Sequence, residues 1–168
     1  RMHQTALFLP APSRMFSMPW LLSHVLLAGT AQDELPAVTV SRLWAQYADR
    51  MIRQDVDGLT DLFTADARFM EPNQDDLVGR ALIRARIKAA ASQATRTTDY
   101  RVTPREVIGS NGFILDQGDY IQTIAPNGVA RRVVDVYGRY FAIWAEQPGS
   151  TWKIARLMIS PKRQPPPR

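Results

Sequence analysis

The chain has 168 residues, of which 45% are hydrophobic and 22% are charged, and its formal net charge is +5. This length and balance predict one globular domain that is large enough to bury a core of its own. The arginines are spread along the chain, and no basic run alternates with aromatic residues, which argues against a nucleic-acid partner.

Two residue types that carry much enzyme chemistry are missing from the predicted domain. Cysteine is absent, and the two histidines, His3 and His24, precede the first predicted helix. These facts exclude a disulfide framework, a thiolate nucleophile, a histidine relay and a histidine-ligated zinc site in the domain. The acidic pairs at 55/57 and 75/76 are typical of helix caps and turns, so we predict no metal. No glycine-rich dinucleotide fingerprint is present, and we expect no cofactor.

Residues 1–31 look like a segment outside the domain. Arg14 precedes a short apolar run over 19–28, and small residues follow it before Gln32. This order resembles a secretory signal peptide and predicts a secreted or periplasmic protein; the run is too short for a spanning helix. The alternative is an N-terminal extension that packs on the domain or is disordered, in which case the protein would be cytoplasmic.

The chain then predicts a linker over 32–37 and a domain over 38–161. Apolar residues at helical spacing, from Val40 to Met51, predict a first helix that stops at Asp57-Gly58. A short second helix through Phe63 leads to a strand over 67–71, which is followed by a loop and a third helix with Ile83 and Ile87 on its apolar side.

From residue 97 onward the pattern predicts long strands. Pro104 breaks the first of them and indicates an edge strand or a bend there, Gly118 indicates a bulge or bend in the second, and Pro126-Asn127-Gly128 is typical of a hairpin. Two more strands follow, up to Ser160, and residues 162–168 form a proline-rich tail. Three helices followed by an antiparallel meander predict an α+β domain, in which helices pack on one face of a strongly curved sheet and leave a cone-shaped hollow.

Three segments of the chain resemble the NTF2-like superfamily, which has a cystatin-like fold. The segment 47–72 is similar to the ketosteroid isomerase pattern, and Val78-Gly79-Arg80 is similar to the start of the family's third helix. The segments 138–148 and 152–156 resemble the SnoaL-like/DUF4440 branch. The resemblance covers about residues 38–160 and implies the fold, which hosts many different reactions.

The resemblance also implies site residues. Glu71 falls where ketosteroid isomerases hold a general-base carboxylate, and Tyr47 where they hold a tyrosine that donates to the developing oxyanion. Asp135 resembles the acid that assists that tyrosine. Strand alternation, however, places Asp135 opposite the apolar face, together with Arg139, so that an ion pair on the sheet surface is the alternative. Glu71 could likewise pair with an arginine such as Arg68 or Arg80.

Other residues are expected to line the hollow as ligand-binding or core side chains. They are Trp44, Phe63, Phe69, Tyr120, Tyr140, Trp144, Arg156 and Met158. Among these, Arg156 on an apolar face would need an anionic partner, such as Glu71, Asp119 or a substrate carboxylate. The last strand departs from the branch at Leu157, Ile159 and Ser160, which removes a polar group from the pocket and favours an apolar or amphipathic ligand.

Three functions are compatible with these residues. The first is an exported, cofactor-independent isomerase, cyclase or dehydratase that transfers a proton through Glu71 and Tyr47. The second is a pocket that binds an apolar ligand without catalysis, and the third is a dimerisation domain that pairs through the outer sheet face. The first requires Glu71 to be held neither in bulk water nor by a bidentate arginine.

Overall fold

The computed structural model describes residues 35–127 and 133–162. These residues form two helices, two early strands, a third helix and then a long meander of four strands. In chain order the elements are α1 (Pro36–Ile52), α2 (Val56–Asp61), β1 (Phe63–Met70), β2 (Leu77–Val78), α3 (Arg80–Ala91), β3 (Thr95–Ser110), β4 (Phe113–Pro126), β5 (Val134–Gln147) and β6 (Thr151–Pro161). The α+β class and the three N-terminal helices predicted from the sequence are confirmed.

The six strands form one mixed sheet in the order β2-β1-β6-β5-β4-β3. Only β1 and β6 run parallel; the other neighbours are antiparallel. Helix α1 packs mainly against β3, and α3 packs against α2 and β1. The core lies between helices and sheet, with Phe63, Trp144 and Leu157 almost fully buried. None of the described helices is long and apolar enough to cross a membrane.

The turn between the first two helices differs from the prediction. Helix α1 ends at Ile52, five residues before the predicted stop, and Gln54 takes the left-handed conformation with a φ of 54°. Asp55 then caps α2, because its carboxylate accepts a hydrogen bond from the Gly58 N–H at 2.9 Å. Gly58 therefore lies inside the second helix, where a Cβ would overlap the Asp55 carboxyl group.

Strand β3 lies at the edge of the sheet and bends at Pro104, as the proline indicated, and it continues past the bend. Its register against β4 shifts between Pro104 and Glu106, so one residue bulges and the strand bends without ending. Gly118 pairs with Pro104 at this point, and a Cβ on Gly118 would overlap the Thr103 carbonyl oxygen. The bulge indicated by Gly118 thus lies in the partner strand.

Strand β6 contains a second bulge that changes which side chains face the core. Ile143 pairs with Arg156 and the next residue, Trp144, pairs with Ile154, so Ala155 is the extra residue. Ile154 and Leu157 are consequently both buried, although they are three positions apart. The prediction that Arg156 and Met158 face the hollow is corrected, because both project from the other face and Met158 is 45% exposed.

The predicted boundaries are only partly covered by the described residues. Helix α1 begins at Pro36, inside the predicted linker, and β6 ends at Pro161, where the predicted domain ends. Lys162 is still tied to the sheet, since its backbone N–H donates to the Tyr137 carbonyl at 2.7 Å. Residues 1–31, linker residues 32–34, the hairpin residues 128–132 and the tail beyond Lys162 lie outside the described residues.

Candidate functional site

A cavity of about 390 Å³ lies between the helices and the first half of the meander. Its apolar wall comes from α1, α2, α3, β1, β4 and β6. The apolar residues on this wall are Met51, Val56, Leu59, Phe69, Ile87, Ala90, Ala91, Ile124 and Ile159. This volume is in the range of small-molecule sites, which are mostly apolar with a few polar groups.

Three tyrosines form an aromatic wall on one side of the cavity. Tyr47 of α1 lies 5.5 Å from Tyr100 of β3 between ring centroids, and Tyr100 stacks on Tyr120 of β4 at 5.9 Å. Within the described residues, none of the three hydroxyl groups has a hydrogen-bond partner. Since no fully buried side-chain oxygen of the described residues lacks a partner, these three hydroxyls are accessible to solvent and are not sealed in the core.

These phenols remain protonated donors at neutral pH. Burial is the main cause that raises the pKa of Tyr47, and the nearby charge of Glu71 raises it further. Burial and then Glu71 also raise the pKa of Tyr120. For Tyr100, burial raises the pKa first and the neighbouring tyrosines follow. Each group can therefore donate a hydrogen bond to a ligand oxygen.

Glu71 follows directly after β1 and lines the same cavity. Its side chain is 11% exposed, and both of its oxygens accept from Arg86 of α3: from Nε at 2.8 Å and from Nη2 at 3.0 Å. The sequence-based alternative of an arginine pair is therefore observed, with Arg86 in place of Arg68 or Arg80. Arg68 pairs with Asp76 instead, with 2.9 Å between Arg68 Nη1 and Asp76 Oδ2. Arg80 pairs with Asp61, with 3.6 Å between Arg80 Nη1 and Asp61 Oδ1.

A buried acid that the sequence pattern did not predict as a site residue lies near Tyr47, because Trp44 contacts both. Asp116 of β4 is 1% exposed and accepts hydrogen bonds from the Trp44 indole at 2.5 Å, the Tyr140 hydroxyl at 2.8 Å and the Trp144 indole at 3.3 Å. Burial raises the pKa of Asp116, and these three hydrogen bonds oppose the rise. Asp116 does not line the cavity, so it organises the core next to the site.

The structure brings together only some of the predicted site residues. Tyr47, Glu71, Phe69 and Tyr120 line the cavity. Trp44, Tyr140 and Trp144 are buried around Asp116, and Phe63 is buried beside Phe69 with ring centroids 6.3 Å apart. These four are core residues.

Asp135 lies outside the cavity, as strand alternation indicated. It pairs with Thr123 across the sheet, and its carboxylate accepts from the Thr123 hydroxyl at 2.8 Å. Among the described residues Asp135 forms no ion pair, so the alternative of an ion pair on the sheet surface is replaced by this hydrogen bond. Arg156, also outside the cavity, donates to the Ala155 carbonyl at 2.7 Å and to the Asp66 carbonyl at 3.4 Å. Neither side chain lines the cavity, so neither can contact a ligand bound in it.

The missed residues carried signals in the sequence. Asp116 shares the two-residue alternation of Ile114 and Tyr120, which marks it as an acid on a buried face. Arg86 lies three positions after Ile83 and four before Ala90, at the edge of the apolar stripe of α3. Helical spacing also places Arg50 one turn after Tyr47.

Comparison with known proteins supports this fold. A family model described as the SnoaL-like domain matches residues 44–152. A ketosteroid isomerase-like protein from Erwinia carotovora atroseptica aligns with a TM-score of 0.65 and 16% identity, covering 79% of this chain and 99% of its own. An NTF2-like protein with a cystatin-like fold from Novosphingobium aromaticivorans aligns with a TM-score of 0.62 and 14% identity, covering 81% and 95%.

A third solved structure, ActVI-ORFA from Streptomyces coelicolor, aligns with a TM-score of 0.65 and 12% identity, covering 76% of this chain and 98% of its own. At these identities the structural similarity shows the fold. No functionally curated protein matches the chain.

Proposed function

Because this chain belongs to the SnoaL-like domain family, within the NTF2-like superfamily, we propose that it binds a small, largely apolar molecule in the cavity through the hydroxyl groups of Tyr47, Tyr100 and Tyr120. One observation carries this proposal. The three tyrosines line a cavity of about 390 Å³, and their hydroxyls have no hydrogen-bond partner among the described residues. A ligand with a carbonyl or hydroxyl oxygen would satisfy them, while its apolar body would contact the side chains of Met51, Leu59 and similar wall residues.

Native mass spectrometry tests this proposal first, because a bound molecule that survives purification adds its mass to that of the protein. Titration calorimetry with naphthalene-2-carboxamide, a flat apolar probe with one carbonyl oxygen, tests it directly. We expect the triple variant Y47F/Y100F/Y120F to bind the probe at least 10-fold more weakly, since each neutral hydrogen bond contributes about 1 kcal/mol. Y137F is the matched control, because Tyr137 lies outside the cavity wall. Equal binding by both variants would refute the role of the hydroxyls.

A second candidate is proton-transfer catalysis, as an isomerase or a lyase. It rests on Glu71, whose carboxylate lines the cavity close enough to raise the pKa of Tyr47 and Tyr120. Glu71 would take a proton from a carbon next to a ligand carbonyl, and Tyr47 would donate to the oxygen on which charge develops. The bidentate pair with Arg86 violates the condition set for this role from the sequence, so proton transfer would require a ligand that displaces Arg86 from the Glu71 carboxylate.

Hydrogen exchange separates catalysis from binding. A ligand recovered by native mass spectrometry is incubated with the protein in D₂O, and deuterium incorporation at carbon is followed by mass spectrometry. A proton-transfer enzyme incorporates deuterium, and the E71Q variant, which cannot accept the proton, loses this activity while it still binds the ligand. If the native protein binds the ligand without incorporation, the cavity is a binding site only.

We also propose that the chain is exported and that it forms homodimers through the outer face of the sheet. The apolar segment of residues 1–31 supports export, and N-terminal sequencing of secreted material tests it. The dimer is supported by apolar side chains exposed on strands β3, β4 and β6, including Ile108, Leu115 and Met158. A second copy of the same face would cover them.

A further inference from the structure

Arg50 gives the cavity a cation that the proposed function does not use. It lies on α1, one turn after Tyr47, and its partly buried side chain lines the cavity near the α1–α2 turn. Within the described part of the chain, its only polar contact is a hydrogen bond from Nη1 to the Gly58 carbonyl oxygen. A guanidinium has five N–H donors, so most of its hydrogen-bonding capacity remains unused.

The other charged groups of the wall are occupied elsewhere. Arg86 and Glu71 neutralise each other in their bidentate pair. Asp55 accepts the capping hydrogen bond from Gly58, and no ion pair joins it to Arg50 among the described residues. Arg96, on β3, also lines the cavity but is exposed, so solvent screens its charge. Arg50 is thus the cation that a partly buried ligand group would meet.

We propose that Arg50 is an anion-binding residue and that the natural ligand is an amphipathic acid, with a carboxylate at Arg50 and an apolar body in the cavity. This inference rests on the proposed binding function and adds the chemical class of the ligand. A carboxylate matches the planar fork of a guanidinium and forms charge-assisted hydrogen bonds, which are stronger than neutral ones. The ligand's second oxygen group would accept from the tyrosine hydroxyls.

The test compares two probes of nearly equal shape that differ in charge. Naphthalene-2-carboxylate and naphthalene-2-carboxamide are titrated into the full chain by calorimetry at pH 7.5. We expect the native protein to bind the carboxylate at least 10-fold more tightly than the carboxamide. The R50Q variant should bind both probes with affinities within about 2-fold of each other, because the charge is gone while the cavity remains.

Two further variants control for other effects. R53Q removes an arginine three positions away that is exposed, paired with Asp49 and absent from the cavity wall, so it should keep the full preference. R50K keeps the charge without the planar fork and should retain a reduced preference for the carboxylate. This conservative variant shows that a loss in R50Q reflects charge and not a disturbed α1–α2 turn.

The outcomes separate this inference from the proposed function. If the native protein binds both probes equally well, the anion site is refuted and ligand binding stands. If R50Q keeps the 10-fold preference, another cation binds the carboxylate and the assignment to Arg50 is refuted. If neither probe binds and no molecule co-purifies, the proposed function fails together with this inference.

Discussion

Two kinds of tyrosine occur in the core, and the difference lies in the partner of the hydroxyl group. The Tyr140 hydroxyl donates to the buried carboxylate of Asp116. The Tyr47 hydroxyl has no partner among the described residues and faces the cavity. A hydrogen bond to a buried charge contributes to folding, whereas an unused donor at a cavity is available to a ligand. The same side chain thus has a structural role at one position and a binding role at the other.

This difference predicts opposite effects for two identical substitutions. Y140F should lower the free energy of unfolding by about 1–3 kcal/mol, because it deprives Asp116 of a buried donor. Y47F should change it by about 0.5 kcal/mol or less, since no protein hydrogen bond is lost. Urea unfolding followed by tryptophan fluorescence measures both. A large loss in Y47F would show that its hydroxyl has a structural partner.

The buried carboxyl group of Asp116 predicts a particular pH dependence. Its pKa in the folded state is raised, so the protonated form favours folding: the contribution to stability is complete below the unfolded pKa of about 3.9 and is lost as the pH rises through the folded pKa. D116N removes this titration and keeps one oxygen acceptor. The unfolding free energy of the native protein minus that of D116N should therefore decrease from pH 4 towards pH 7.

The comparison of two otherwise identical chains isolates Asp116 from other acids. Asp66 and Asp119 have pKa values lowered by hydrogen bonds, from Thr64 and from Lys162 respectively, and they destabilise both proteins equally in acid. A difference that stays constant over this pH range would show that Asp116 does not titrate in it.

At the scale of elements, pairing across the strands sets the shape of the cavity. Gly138 of β5 lies opposite Tyr120 of β4, and the aromatic ring occupies the space above the glycine. A Cβ on Gly138 would overlap the outer ring atoms and the hydroxyl of Tyr120. The absence of a side chain on β5 thus allows the phenol on β4 to lie where it reaches the cavity.

We therefore expect G138A to weaken probe binding more than it weakens folding. The ring of Tyr120 is the outer part of a flexible side chain and can move away, at a cost of about 1–3 kcal/mol in unfolding free energy. Displacement of the Tyr120 hydroxyl should weaken the binding of naphthalene-2-carboxamide about 2- to 10-fold, because one neutral hydrogen bond to the probe is lost. G118A is the contrasting variant, because its Cβ would meet the backbone oxygen of Thr103, which cannot move without distorting β3. Greater stability of G118A than of G138A would contradict this reasoning.

At the scale of the whole molecule, one face of the sheet packs on the helices and the other carries exposed apolar residues. Leu115 pairs with Ile143 across β4 and β5 on this outer face, and Ile108 pairs with Leu115 from β3. Burying such a row against a second copy would remove apolar surface from water. The face is therefore the best candidate for self-association.

A charge placed in the centre of this face should disrupt a dimer without unfolding the chain. We expect the native protein to have twice the monomer mass in size-exclusion chromatography with light scattering, and L115K to have the monomer mass. Leu115 is 36% exposed in the single chain, so a lysine there should be tolerated by the fold. A85K, which adds the same charge at an exposed position of α3 away from the sheet, is the control for charge effects and should keep the dimer mass. A native monomer at high concentration would refute the dimer.

The local pattern of the chain was sufficient for the architecture and for part of the site. Helical spacing and strand alternation depend on neighbouring residues, so the three helices, the meander and the position of Tyr47 and Glu71 followed from them. Alternation also placed Asp135 on the outer face. Strand alternation gave the wrong face for Arg156 and Met158. The bulge at Ala155 reverses which side chains of β6 face the core, and this bulge arises from the pairing of β6 with β5.

The amino-acid sequence by itself determined the SnoaL-like fold, the exclusion of histidine and cysteine chemistry from the domain, and four side chains of the cavity. Only the tertiary structure decided what those side chains meet. Glu71 binds Arg86, which approaches from a different element, and three phenols converge from α1, β3 and β4. The physical reason is that secondary structure depends on residues close in the chain, whereas hydrogen bonding, charge pairing and cavity shape depend on residues that are distant in the chain and adjacent in space.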